Sequence, residues 1–330
     1  MEKQRVKEID FLRGGAAFLV VLGHAIIVYP VNLQNVFWCK LLYDSIYSFH
    51  MALFFGISGY CYSPKEDYKS YIKNKFMRLG LPYMFFAFIG IIPRVLFPNL
   101  VNRNETIVKQ VISNILDGGE YWFLYTLMIV FIIFPFIEKI MFINKKNLCF
   151  VLLAIFSIGQ MSMIAPKIFC TNYVIYYLLF FALGNICKRY QFIKWFKNKL
   201  LKINSVLKIT LCIASFAYAI GCGAIMENNM LCLVVYIKAL MGIVACVILT
   251  ILLPNVFEKF ERYSKYSLGL YLLNGYCLVI SRFIICNVIG ADNPAIIILF
   301  NMIVDFYLSY IFLHYIISKI PIIRNLVGVC

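Results

Sequence analysis

IDFLRGGAAFLVVLGHA, residues 9–25, decides how the rest of the chain reads. It follows a basic start, MEKQRVKEIDFLR, and stays apolar to about residue 30, long enough for a membrane crossing of about 20 residues. Asp10 and Arg13 stand at its mouth, and His24 follows Arg13 by eleven residues. At 100° per residue, eleven steps return to within about 20° of the starting direction, so Arg13 and His24 share one helix face about 16 Å apart. Ionisable groups inside a bilayer are costly and default to functional candidates. The spacing suits an anchor for one end of a long ligand with chemistry at the other. It equally suits a snorkelling arginine and a core histidine bonded to a neighbouring helix. No small-residue cleavage site follows the apolar run, so it reads as a retained first span.

The chain has 330 residues, 63% of them hydrophobic and 14% charged. Soluble domains run at about 45–50% apolar and about 25% charged, so this composition excludes a large soluble domain and a disordered chain alike. Ten spans are expected: 11–30, 44–62, 80–97, 120–138, 148–165, 172–187, 204–224, 230–253, 267–289 and 294–317. The expected fold is all-α: a polytopic membrane helical bundle of about ten transmembrane helices, residues 1–330 as one domain, with N- and C-termini cytoplasmic.

The positive-inside rule supports that orientation. Most of the 31 Lys and Arg fall in the loops on the N-terminal side, with only Lys40, Arg94, Arg103, Lys109 and Lys167 opposite. Lys208, Lys238 and Arg282 lie within spans. The net charge of +16 therefore reads as loop charge facing anionic lipid, and not as a nucleic-acid surface. The 12 cysteines form no C-x-x-C and no disulfide or zinc pattern. Two stretches are expected to be amphipathic. Residues 188–203 (KRYQFIKWFKNKLLKI) suit a helix on the cytoplasmic leaflet. The outer loop 98–119 suits a short helix ended by Gly118 and Gly119.

Further candidates gather at the two ends. His50, in the second span, lies at the same expected depth as His24, about 20 Å from the cytoplasmic end, so the two can meet. His314 reads as structural. Lys75 and Arg78, three apart, suit a phosphate or pyrophosphate at the cytoplasmic mouth and also plain positive-inside charge. At the outer interface Tyr121 and Trp122 suit a belt, while Glu120 lies at the edge of the hydrocarbon on the side of the histidines. Two His and a Glu on three separate helices make a poor metal set, and no metal is expected.

Five stretches resemble the acyltransferase-3 family of integral membrane O-acyltransferases. The first is IDFLRGGAAFLVVLGHA (9–25), with ten residues between Arg13 and His24. The second, FHMALFFGISGYCY (49–62), is close to the family's F-H-M-P-L-F-F-F-I-S-G-F. The others are KNKFMRLGLPYMFF (73–86), YWFLYTLMIVFIIFP (121–135) and SKYSLGLYLLN (264–274). They fall in the family's order over nearly the whole chain. Departures are Ala52 for a usual Pro, Lys75 for an Arg, Glu120 for a His and Asn274 for a His. The second stretch is most similar to the branch containing sugar and exopolysaccharide O-acetylases.

The resemblance implies acetyl transfer from cytoplasmic acetyl-CoA to a hydroxyl of a surface or lipid-linked sugar. Arg13, Lys75 and Arg78 would take the CoA headgroup. His24 would act as general base or as the nucleophile that carries the acetyl group. Arg13, His50 and Glu120 complete the implied catalytic set, and Tyr121, Trp122 and Asp10 the implied sugar contacts. Donors to the developing oxyanion stay unassigned. The implied setting is the plasma membrane of a bacterium, with membrane lipids and a glycan acceptor as partners. The rival readings are a glycan or lipid transporter and a non-catalytic membrane scaffold. The missing internal repeat weighs against the transporter.

Overall fold

The computed structural model describes residues 6–28, 31–64, 67–96, 106–225, 232–264, 266–316 and 319. Among them every regular element is helical, so the chain is an all-α polytopic membrane protein. In chain order the helices are α1 (Lys7–Ile27), α2 (Phe37–Tyr47), α3 (His50–Tyr60), α4 (Tyr68–Lys75), α5 (Leu81–Ile89), α6 (Ile91–Leu96), α7 (Ile107–Leu116) and α8 (Trp122–Met141). They continue as α9 (Lys145–Gly159), α10 (Thr171–Arg189), α11 (Phe192–Leu201), α12 (Ser205–Ile225), α13 (Cys232–Leu252), α14 (Pro254–Ser264), α15 (Ser267–Phe283) and α16 (Pro294–Ile311).

Seven helical stretches are long and apolar enough to cross a membrane, and they coincide with seven of the ten expected spans. The expected 204–224 is α12, whose apolar part, Ser205–Gly221, is shorter. Two spans expected to be single helices are broken. The segment 44–62 starts earlier, as α2, and breaks at Ser48 and Phe49 before α3. The segment 80–97 is split into α5 and α6 around Gly90, where a Cβ would stand 2.8 Å from the Phe86 carbonyl oxygen. It is preceded by a π-helical turn, Phe76–Gly80. Hydropathy shows only that a segment is apolar, and both breaks are made by packing.

The first break is closed by local bonds, as a backbone in an apolar layer requires. Ser48 N–H donates to Asp44 O (3.1 Å), Phe49 N–H to Ile46 O (3.2 Å) and the Ser48 hydroxyl to Ser45 O (2.7 Å). The Phe49 ring fills the space a side chain at Gly242 of α13 would need, and meets Phe216 of α12 edge-on at 6.3 Å. Below the break, α3 lies directly on α10. A Cβ on Gly59 would stand 1.9 Å from the Phe181 carbonyl oxygen, and one on Gly184 1.9 Å from that of Gly56. Helices in lipid associate through such small-residue contacts, since apolar burial alone does not drive them together.

The loop helix expected within 98–119 is α7, and Gly118 (φ 79°) and Gly119 (φ 53°) turn the chain into α8. The basic amphipathic stretch is α11. It leaves Phe192 and Trp195 about half exposed and ties to α1 through the Lys197–Glu8 ion pair. The amphipathic α14 was not anticipated. It packs along the first half of α1, with Phe257 against Gly15.

Replacing Gly59 with leucine forces α3 and α10 apart. Overpacking of this kind costs about 1–3 kcal/mol. The purified variant is expected to melt several degrees below wild type in detergent, whereas Gly221→Leu, with nothing within 4 Å of its Cβ, leaves the melting temperature unchanged.

Candidate functional site

Arg13 lies at the end of α1 that carries the basic loops. Its guanidinium is 3.6 Å from the Asp10 carboxylate, one helical turn back, and donates to Cys61 Sγ at 3.0 Å. Asp10 is thus buried beside Arg13 at the basic end. It holds the arginine in place.

Arg13, Lys75 and Arg78 line one cavity of about 200 Å³. Ser58, Cys61 and Ser267 add small polar groups, and Phe54, Phe123, Leu127 and Phe131 make its upper wall apolar. The cavity reaches Met51, next in sequence to His50, and Tyr271 on α15. The Lys75 ammonium rests 3.6 Å over the Phe131 ring and 5.5 Å from the Tyr71 ring. Burial pushes the Tyr71 hydroxyl well above its ordinary range, so Lys75 sits on a neutral ring. Three cations at the mouth and an apolar wall behind suit a ligand with a polyanionic head and an uncharged arm.

His24 and His50 come together as their depths suggested, near enough to act on each other electrostatically. His24 Nδ1 is 2.9 Å from the Val20 carbonyl oxygen, and His50 Nδ1 is 2.8 Å from that of Ile46. A carbonyl oxygen only accepts, so each Nδ1 carries the proton and each Nε2 keeps its lone pair. The Tyr47 hydroxyl lies 3.5 Å from His24 Nδ1, and its ring meets His50 edge-on at 4.7 Å. Glu120 stands at the exposed turn before α8. That turn is fixed from below. Asn114 donates to Ala87 O at 2.7 Å, and Asp117 accepts from Ser113 at 2.6 Å and from Gly119 N–H at 3.2 Å.

Tyr121 is nearly buried and meets Tyr276 hydroxyl to hydroxyl at 3.4 Å. Trp122 packs on Tyr173 at 4.3 Å and stacks on Tyr177 at 5.8 Å. His314 pairs with the Tyr266 hydroxyl at 3.0 Å, as a structural histidine does. Asn274 is buried on α15.

Residues 6–318 match the family of the acyltransferase domain. The chain belongs to the acyltransferase-3 family. Two nodulation proteins NolL are similar to it. That of Mesorhizobium japonicum is 27% identical over 65% of this chain and 56% of its own length. That of Sinorhizobium fredii is 28% identical over 42% of this chain and 38% of its own. The chain thus spans less than two thirds of either relative. No solved structure matches.

Two residues of this acyltransferase-3 site were not singled out in the sequence. Tyr47 joins the histidines, and the Tyr271 hydroxyl is buried in the wall of the basic cavity, beside the Phe123 backbone. Membrane tyrosines are common, so only the resemblance at 264–274 could have drawn attention to Tyr271. Arg282, noted only as a charge within a span, is fully buried and donates to the carbonyls of Ala25 and Val31. It caps the end of α1 one residue from His24. Changing Arg282 to methionine leaves those two acceptors bare, at about 1–3 kcal/mol for an unsatisfied buried group. A lowered melting temperature in detergent is expected, and an unchanged one would show that the carbonyls find other partners.

Proposed function

We propose that the chain is a membrane O-acetyltransferase, moving acetyl from cytoplasmic acetyl-CoA to a hydroxyl of a surface or lipid-linked sugar in the bacterial plasma membrane. The observation that carries the proposal is that Arg13 of α1 shares a cavity with Lys75 and Arg78 of the α4 run, and that this cavity reaches Tyr271 and Met51, next in sequence to His50. A CoA thioester has the matching polarity: a phosphate-rich head for the cations and a long neutral arm for the apolar wall. Acetyl as the group, and a sugar as the acceptor, follow from the motif resemblance.

The chemistry then has a definite course. His24 Nε2 takes the proton of the acceptor hydroxyl. The oxygen bonds to the thioester carbonyl carbon, the carbon–sulfur bond breaks, and CoA leaves as the thiol with the proton returned from His24. The products are the sugar acetate and free CoA. Val20 O holds the imidazole in the tautomer that presents Nε2. The Tyr271 hydroxyl, in the wall of the basic cavity, donates to the oxyanion. Asp10 positions Arg13 and does not touch the sugar.

Radiolabelled acetyl-CoA, membranes and the host's own glycans test this reading. Wild-type membranes are expected to label an alkali-labile glycan fraction. His24→Ala is expected to lower that rate by about 10²–10⁴ with protein levels unchanged, and retained activity would contradict the mechanism. Tyr271→Phe keeps the ring and removes one oxyanion donor. It is expected to lower kcat by about 10²–10³ with the KM for acetyl-CoA little changed.

A further inference from the structure

A second cavity, of about 270 Å³, opens where the α2–α3 break faces the start of α10, at the end opposite the basic mouth. Tyr47, Ser48, Asn172, Tyr173, Tyr176 and Tyr177 supply its character. Among the described residues its lining contains no Lys, Arg, His, Asp or Glu. From this we infer that the cavity is the acceptor subsite and that it takes a single uncharged pyranose ring of the glycan. The inference rests on the acetyl-transfer reading and deepens it.

Four observations carry it. The volume lies below the about 300–1,000 Å³ of sites for drug-sized ligands, so the cavity fits one ring of the glycan. The amide and phenol groups of the described lining suit sugar hydroxyls. Asn172 Oδ1 is buried without a hydrogen-bond partner, an acceptor matched to a sugar hydroxyl. The tyrosines are held before any ligand arrives. Tyr177 stacks on Phe55 at 4.4 Å with the planes 7° apart, and Trp122 backs both Tyr173 and Tyr177. Rings already fixed lose little entropy on binding. Trp122 therefore supports the sugar platform from behind and is not the platform itself.

Tyr47 gives the cavity its place in the reaction. It lines the cavity and also meets His24 and His50. It lies within electrostatic reach of Tyr271, which lines the basic cavity from the other side. A hydroxyl of a ring seated beside Tyr47 is thereby brought to the histidine pair, while the donor arrives from the opposite end.

Two variants test the assignment. Val235→Trp fills the cavity from α13, and Asn172→Ala removes the unpartnered acceptor without adding bulk. Acetyl transfer to host glycans is read separately in the lipid-linked and polymer fractions, beside binding of labelled CoA to the purified protein. Val235→Trp is expected to lose transfer at least tenfold, and Asn172→Ala to raise the KM for the glycan at least fivefold. Both are expected to bind CoA within twofold of wild type, which also reports that they are folded. The fraction that loses label names the source of the ring. Wild-type transfer in both variants would overturn the subsite, as would a loss in Asn172→Ala confined to the KM for acetyl-CoA. Wild-type protein that binds CoA and labels no glycan would overturn the acetyl-transfer reading itself, and the subsite with it.

Discussion

A helix cannot break inside an apolar layer unless the freed backbone groups are bonded again. The α2–α3 break at Ser48–Phe49 meets that requirement, and the site follows from it. The Ile46 carbonyl, freed at the end of α2, accepts from both Phe49 N–H and His50 Nδ1. That second bond fixes the His50 ring and its tautomer. The break also turns Tyr47 across the histidines and opens the space beneath Ser48 into which the far cavity extends. An unbroken helix over 44–62 would continue its regular path and leave no such space. The glycine contacts of α3 with α10 keep the lower half of the broken span in place, so the break is a fixed feature of the packing.

Polarity is then divided along the axis of the bundle. The basic end gathers Arg13, Lys75 and Arg78 around one cavity, and the opposite end gathers tyrosines and an asparagine around another. Between them stand the histidines, Tyr47 and Tyr271. Charges within the bundle serve positioning. Arg282 caps α1 beside His24, and Asp10 clamps Arg13. Preorganised groups of this kind stabilise charge as it develops without reorganising at the moment of reaction.

The sequence disclosed the parts that depend on local spacing. The eleven-residue step from Arg13 to His24 gives one face of α1, and equal depth brings His50 to His24. Lys75 and Arg78 share the cavity with Arg13, although a π-helical turn rather than a plain helix carries Arg78. The break at Ser48–Phe49 was hidden because that segment is apolar on average and holds neither Pro nor Gly at the break; its cause is Phe49 wedged against Gly242, far away in sequence. The same distance hides both cavities, which are lined from several helices. Tyr47 and Tyr271 escaped notice because a tyrosine in a membrane span is ordinary until its neighbours are known. Asp10 was expected from the resemblance as a sugar contact, and the structure places its carboxylate 3.6 Å from the Arg13 guanidinium.

The central claim is that donor and acceptor enter from opposite faces and meet at His24. Sidedness tests it most directly, because acetyl-CoA is highly charged and does not cross a sealed bilayer. Sealed vesicles of both orientations, holding the chain and the host glycan, would be given labelled acetyl-CoA from outside only. Inverted vesicles, with the basic face outward, are expected to accumulate labelled glycan in their lumen, protected from added glycosidase, while right-side-out vesicles stay unlabelled. Equal labelling in right-side-out vesicles, or label on the outer face of inverted ones, would contradict the account.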